Sequence, residues 1–69
     1  MEKEIIFIVE EVPEGGYLAK ALGYAIFTEA DNLIELKKNL QEAVQCHFDP
    51  EDMPCFIRLR MVKDEVIPL

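Results

Sequence analysis

The run Glu4 to Val9, EIIFIV, constrains the fold more than any other stretch of this chain. Side chains alternate along an extended strand, so Ile5, Phe7 and Val9 share one face while Ile6 and Ile8 share the other. A strand covered on one side would alternate apolar with polar residues. Both faces of this one ask for cover, which marks a central strand. In 69 residues that demand is hard to meet from within. A domain of this size buries only about 60% of the surface its unfolded chain exposes, so its core leaves little margin.

The rest of the chain supplies few elements with which to cover that strand. Glu10 to Gly16 (EEVPEGG) reads as a turn, with Pro13 fixing one dihedral and Gly15-Gly16 admitting left-handed backbone. Tyr17 to Leu22 is the second strand of a hairpin, Gly23 interrupts it, and Tyr24 to Thr28 is a third strand. A helix opens at Asp31-Asn32, where Asn32 and Glu35 have capping-box spacing and Asp31 suits the positive helix end. Leu33, Leu36, Leu40, Ala43, Val44 and His47 then form an apolar stripe of about four turns, closed by Asp49-Pro50. Cys55 to Val62 is a last strand with Ile57, Leu59 and Met61 on one face and Arg58 and Arg60 on the other, and a mixed tail runs from Lys63 to Leu69. The predicted architecture is α+β, a single domain over 1–69 in the order β-β-β-α-β, a small sheet with one helix packed on one face. A right-handed crossover through the helix brings the last strand parallel to one of the first three. One helix covers one sheet face, so self-association as a dimer or tetramer is expected, through the bare face or an edge strand. Alternation in the last strand favours the edge.

Charge narrows the partners. The net charge is −7, and residues 1–35 carry eight acids against two lysines, a balance of −6. Affinity for phosphates needs a basic face, so no direct nucleic-acid binding is expected. A basic protein is the natural complement. No apolar run approaches the roughly 20 residues that cross a bilayer, so no membrane association is expected. Cys46 and Cys55 allow one disulfide at most and no signal peptide precedes them, which points to a reduced, cytoplasmic chain.

Catalytic chemistry finds little support. The chain has no serine and no tryptophan, and Thr28 is its one threonine, so a serine nucleophile is excluded. Cys46 and His47 are helix neighbours pointing about 100° apart, too divergent for a thiol–base pair. They read as a buried thiol and a helix-end histidine. With Cys55 they offer three potential zinc ligands but lack paired C-x-x-C spacing, so neither metal nor cofactor is expected. Glu10, Glu11 and Glu14 cluster around the glycine turn and are the candidate contacts for a basic partner.

Residues 14–44 carry a resemblance. Gly15-Gly16-Tyr17, Ala19, the turn before the helix and Leu33-x-Glu35-Leu36 resemble the HicB-like antitoxin domain, and the likeness extends over about residues 3–62. The turn usually written Gly-Asp-Thr is Ala30-Asp31-Asn32 in this sequence. The resemblance implies a truncated ribonuclease-H-like sheet with the last strand beside the first. It also implies a non-catalytic domain that neutralises a small basic HicA-like ribonuclease toxin. A nuclease of that topology would need carboxylates inside its first and last strands to hold metal ions, and EIIFIV and CFIRLRMV offer none. HicB antitoxins commonly add a C-terminal DNA-binding module, and the sequence stops short of one, so a short form without autorepression is expected. The alternative is a stand-alone HicB-like oligomer with neither toxin nor DNA.

Overall fold

The computed structural model describes residues 3–62 and 67–69. β1 (Glu4–Glu11), β2 (Tyr17–Ala21), β3 (Phe27–Ala30), α1 (Leu33–His47) and β4 (Phe56–Val62) follow one another along the chain. They form one four-stranded sheet in the order β3-β2-β1-β4, so the doubly apolar strand is interior, as its pattern requires. β1 pairs antiparallel with β2 and parallel with β4, and β2 pairs antiparallel with β3. This is a small α+β fold with a mixed sheet and one helix. Of the tail beginning at Lys63, residues 63–66 lie outside the described residues.

Side-chain parity decides the core. Ile5, Phe7 and Val9 are buried, and Ala19 and Ala21 of β2 lie beside them with no bulk to hold the helix away. From α1, Leu36, Leu40 and Val44 close the same layer at four-residue steps, with Leu33 and Ala43 half-buried on its flanks. Each such aliphatic or aromatic side chain removed from water stabilises the fold by about 1.5–3 kcal/mol. The predicted stripe ends one residue early. His47 is exposed, because its ring turns toward Tyr24 and Phe48 at the helix end rather than onto the sheet.

Element boundaries differ from expectation: β2 ends at Ala21 instead of Leu22, β3 runs on to Ala30 instead of Thr28, and three further shifts have a visible cause. β1 continues through Glu10 and Glu11, which pair with Leu18 and Tyr17, so the turn proper begins only at Val12. There the Val12 amide donates to the Gly16 carbonyl (3.0 Å) and the Gly15 amide donates to the Val12 carbonyl (2.9 Å). β3 starts at Phe27 instead of Tyr24. Ile26 drops into the core at 7% exposure, and its carbonyl accepts from the Ala21 amide at 2.9 Å, which closes a non-strand link around Gly23. β4 begins at Phe56, one residue later than its pattern suggests.

The helix start matches its sequence signal. Asn32 holds extended backbone, and its side-chain oxygen accepts from the Glu35 amide at 2.8 Å. That bond satisfies one of the donors left open in the first turn. Replacing Asn32 with alanine should lower stability by about 1 kcal/mol, read as a shifted urea midpoint with an unchanged slope. A change under about 0.3 kcal/mol would show that the cap contributes little beyond packing.

Candidate protein-binding surfaces

The structure separates the three glutamates that stand together in the sequence. Glu10 and Glu11 are successive strand residues and point to opposite faces of the sheet, whereas Glu14 lies in the turn. Glu14 is instead joined by acids from elsewhere. A concavity of about 590 Å³ at that end of the sheet is lined by Glu14, Asp31 and Glu35, with Tyr17, Asn39 and Glu29 among its other polar neighbours, the Glu29 side chain pointing to the opposite sheet face, and no lysine or arginine. Three local devices assemble it. Gly15 and Gly16, both at φ 101°, fold the hairpin turn back; the Tyr17–Ala30 pair brings the end of β3 alongside; and the helix start places Asp31 just before the Asn32 cap and Glu35 in the first turn of α1. The Asn39 side-chain amide donates to the Glu29 carbonyl at 3.3 Å and ties the helix to β3. Three carboxylates, those of Glu14, Asp31 and Glu35, line it without a lysine or arginine among the lining residues and create a negative potential suited to a basic surface.

Among the described residues nothing packs over the sheet face opposite α1. Cross-strand register places Phe27, Lys20, Ile8 and Arg60 in one row across it, with Glu29, Leu18, Glu10 and Val62 in the next. Ile6, Arg58 and Leu22 follow, since the Leu22 amide extends the ladder by donating to the Ile6 carbonyl at 2.8 Å. Ile6, Ile8 and Leu18 are half-buried, and Leu22 and Phe27 are 53% and 61% exposed. A hollow of about 420 Å³ lies among Ile8, Leu18, Lys20, Leu22 and Phe27. At the β4 side Glu4 grips Arg58. Arg58 Nε donates to both carboxylate oxygens at 3.1 Å and its Nη2 lies 3.1 Å from Oε2, which together with the charge attraction raises the guanidinium pKa further. A third surface is the groove of about 470 Å³ between α1 and β4, lined by Leu40, Val44, Met53, Ile57 and Leu59.

Two relatives define what this chain is similar to. A UPF0150 protein of Thermotoga maritima is 46% identical over 66 residues, covering 96% of this chain and 93% of the relative. The chain belongs to the UPF0150 family. A second UPF0150 protein, from Archaeoglobus fulgidus, is 50% identical over 50 residues, covering 72% of this chain and 74% of the relative. No family model matches the chain, and no solved structure matches it.

The Cys46 thiol of this UPF0150 chain departs from the buried place expected of it. Cys46 and Cys55 are both free and exposed, because α1 presents Cys46 two residues past the buried Val44 and Cys55 precedes β4 in an open loop. His47 makes edge-on contacts with Tyr24 (6.1 Å between centroids) and Phe48 (4.9 Å), so its environment is an aromatic cluster. Among the described residues no group of three or more His, Cys, Asp or Glu side chains is placed to hold a metal ion. None of the described helices is long and apolar enough to cross a membrane.

The sequence singled out Glu14 but missed Asp31 and Glu35 as its companions. Their convergence depends on the Tyr17–Ala30 pairing, which no local spacing announces.

Proposed function

We propose that this UPF0150 chain is a non-catalytic protein-binding domain of the HicB antitoxin kind, which neutralises a small basic ribonuclease toxin. The concavity lined by Glu14, Asp31 and Glu35 carries the reading, because it concentrates acid where a basic partner would seat. The placement of β4 beside β1 is in keeping with the truncated ribonuclease-H-like sheet that the resemblance implies. The bare apolar face favours a second reading, a stand-alone oligomer without a toxin.

Association with a basic HicA-like protein should weaken as salt rises, since exposed charges are screened over about 10 Å at 0.1 M ionic strength. Changing Glu14, Asp31 and Glu35 to their amides should slow association about tenfold or more in stopped-flow or surface-plasmon measurements. Changing Glu10 and Glu11 to glutamine should have the smaller effect, because these two carboxylates diverge. The opposite ranking would move the contact to β1, and salt-independent binding would sink the electrostatic basis altogether.

A further inference from the structure

We propose that the bare sheet face binds a second copy of this chain, sheet against sheet, about a two-fold axis running along the strands. The face has an apolar middle in Ile6, Ile8, Leu18, Leu22 and Phe27, two of which are more than half exposed. What selects the occupant is the placement of charge across it. Cations stand on β4, at Arg58 and Arg60, while β3, at the opposite edge, presents Phe27 and Glu29. An axis along the strands lays the β4 of each copy over the β3 of the other and each β1 over a β2. Arg60 then meets Phe27 and Glu29 of its partner, as a cation over a ring beside a carboxylate. Lys20 falls over Ile8 of the partner with its ammonium directed at the neighbouring Glu10, and Ile6 meets Leu22. An axis across the strands through this same row would instead set Arg60 on Arg60 and Lys20 on Lys20. The face complements itself about the axis along the strands, and the transverse axis through the Arg60 row opposes like charges.

The same arginines weigh against the edge alternative. In symmetric antiparallel pairing of two β4 strands centred on residue 58, 59 or 60, arginine lies directly opposite arginine, since Arg58 and Arg60 share a face. Like charges directly opposed across strands destabilise the pair. Face-to-face packing keeps those side chains apart and covers the apolar middle, with the sheets about 10 Å apart and their strands within about 30° of alignment.

The area sets the strength. Four strands about 4.8 Å apart and about 17–20 Å long present a face of roughly 400 Å², so the contact stands at the weak end of specific interfaces. Sedimentation equilibrium of the full chain should show the mass rising from the 8.0 kDa monomer toward twice that value, across roughly 1–500 µM as mass action requires. Leu22→Asp and Phe27→Asp should each raise the dissociation constant at least about tenfold with an unchanged circular dichroism spectrum, as burial of an unpaired charge demands. Arg60→Glu should weaken the dimer similarly, and combining it with Glu29→Arg should restore affinity to within about threefold, because both members of each symmetric pair are then reversed. A Met61→Asp control, on the α1 side of β4, should leave the dimer intact. Monomer mass at every concentration overturns the proposal, as does a dimer indifferent to Leu22→Asp and Phe27→Asp. Failure of the double reversal to recover what Arg60→Glu loses overturns the proposed axis, and a Met61→Asp effect larger than that of Leu22→Asp places the interface at the groove side of β4.

Discussion

Phe7→Ala should leave a substantial part of the protein unfolded at 37 °C. Phe7 has no exposed surface and is among the largest fully buried side chains. It stands in the interior strand between Ala21 and Leu59, under the α1 layer. Neither neighbouring strand can close inward without breaking its ladder, and Ala21 has no side chain to swing into the gap. Phenylalanine-to-alanine changes in such sites cost about 3–5 kcal/mol. Native domains hold only about 0.05–0.15 kcal/mol per residue, which for 69 residues amounts to a total of comparable size. Thermal melting should therefore fall by more than about 12 °C, at about 4–8 °C per kcal/mol for a domain of this length. Ile6→Ala, one residue away but on the bare face, should cost less than half as much. Equal losses at the two positions would mean that the bare face is as well covered as the core.

The second large effect belongs to the hairpin turn. Gly15 and Gly16 share a φ of 101°, so alanine is strained at either position. Only at Gly16 does a β-carbon also meet backbone, at 2.9 Å from the Ala30 carbonyl oxygen; at Gly15 it meets nothing within 4 Å. That carbonyl closes β3 just before the helix cap, so it cannot retreat without moving the entry to α1. Gly15→Ala should cost about 1 kcal/mol from backbone conformation, and Gly16→Ala about 2–3 kcal/mol as the collision adds to it. The difference between the two urea midpoints isolates the collision. Identical midpoints would show that the turn shifts freely and that the Tyr17–Ala30 end of the sheet is loose.

Legibility in the sequence follows the range of the interaction responsible. The interior place of EIIFIV, the cap at Asn32 and the Leu36–Leu40–Val44 stripe are written locally, and the structure has them. The end of β1 was not legible. Glu10 and Glu11 look like turn residues, yet pairing with Leu18 and Tyr17 holds them in the strand. YAIFT has the composition of a strand throughout, but Gly23 and the inward turn of Ile26 delay β3 to Phe27. The candidate site was half legible for the same reason. Its acids arrive from the hairpin turn, the junction between β3 and α1, and the first turn of α1, and only the folded register brings them to one hollow.

The parallel pairing of β1 with β4 also sets an order of events in synthesis. Ile8 lies opposite Arg60, so the interior strand waits for residues made some fifty positions later before both its edges are occupied. At about 5–20 residues per second, the interval between making Glu11 and making Phe56 is roughly 2–9 s. Once β2 is made and until β4 follows, β1 can pair with β2 alone, and its other edge offers unpaired amides and carbonyls beside Ile5, Phe7 and Val9. The nascent chain therefore passes through a stage in which its most apolar strand is an open edge, whatever the finished domain later binds. A chain cut after Pro50 would be held at that stage and should aggregate where the full chain does not.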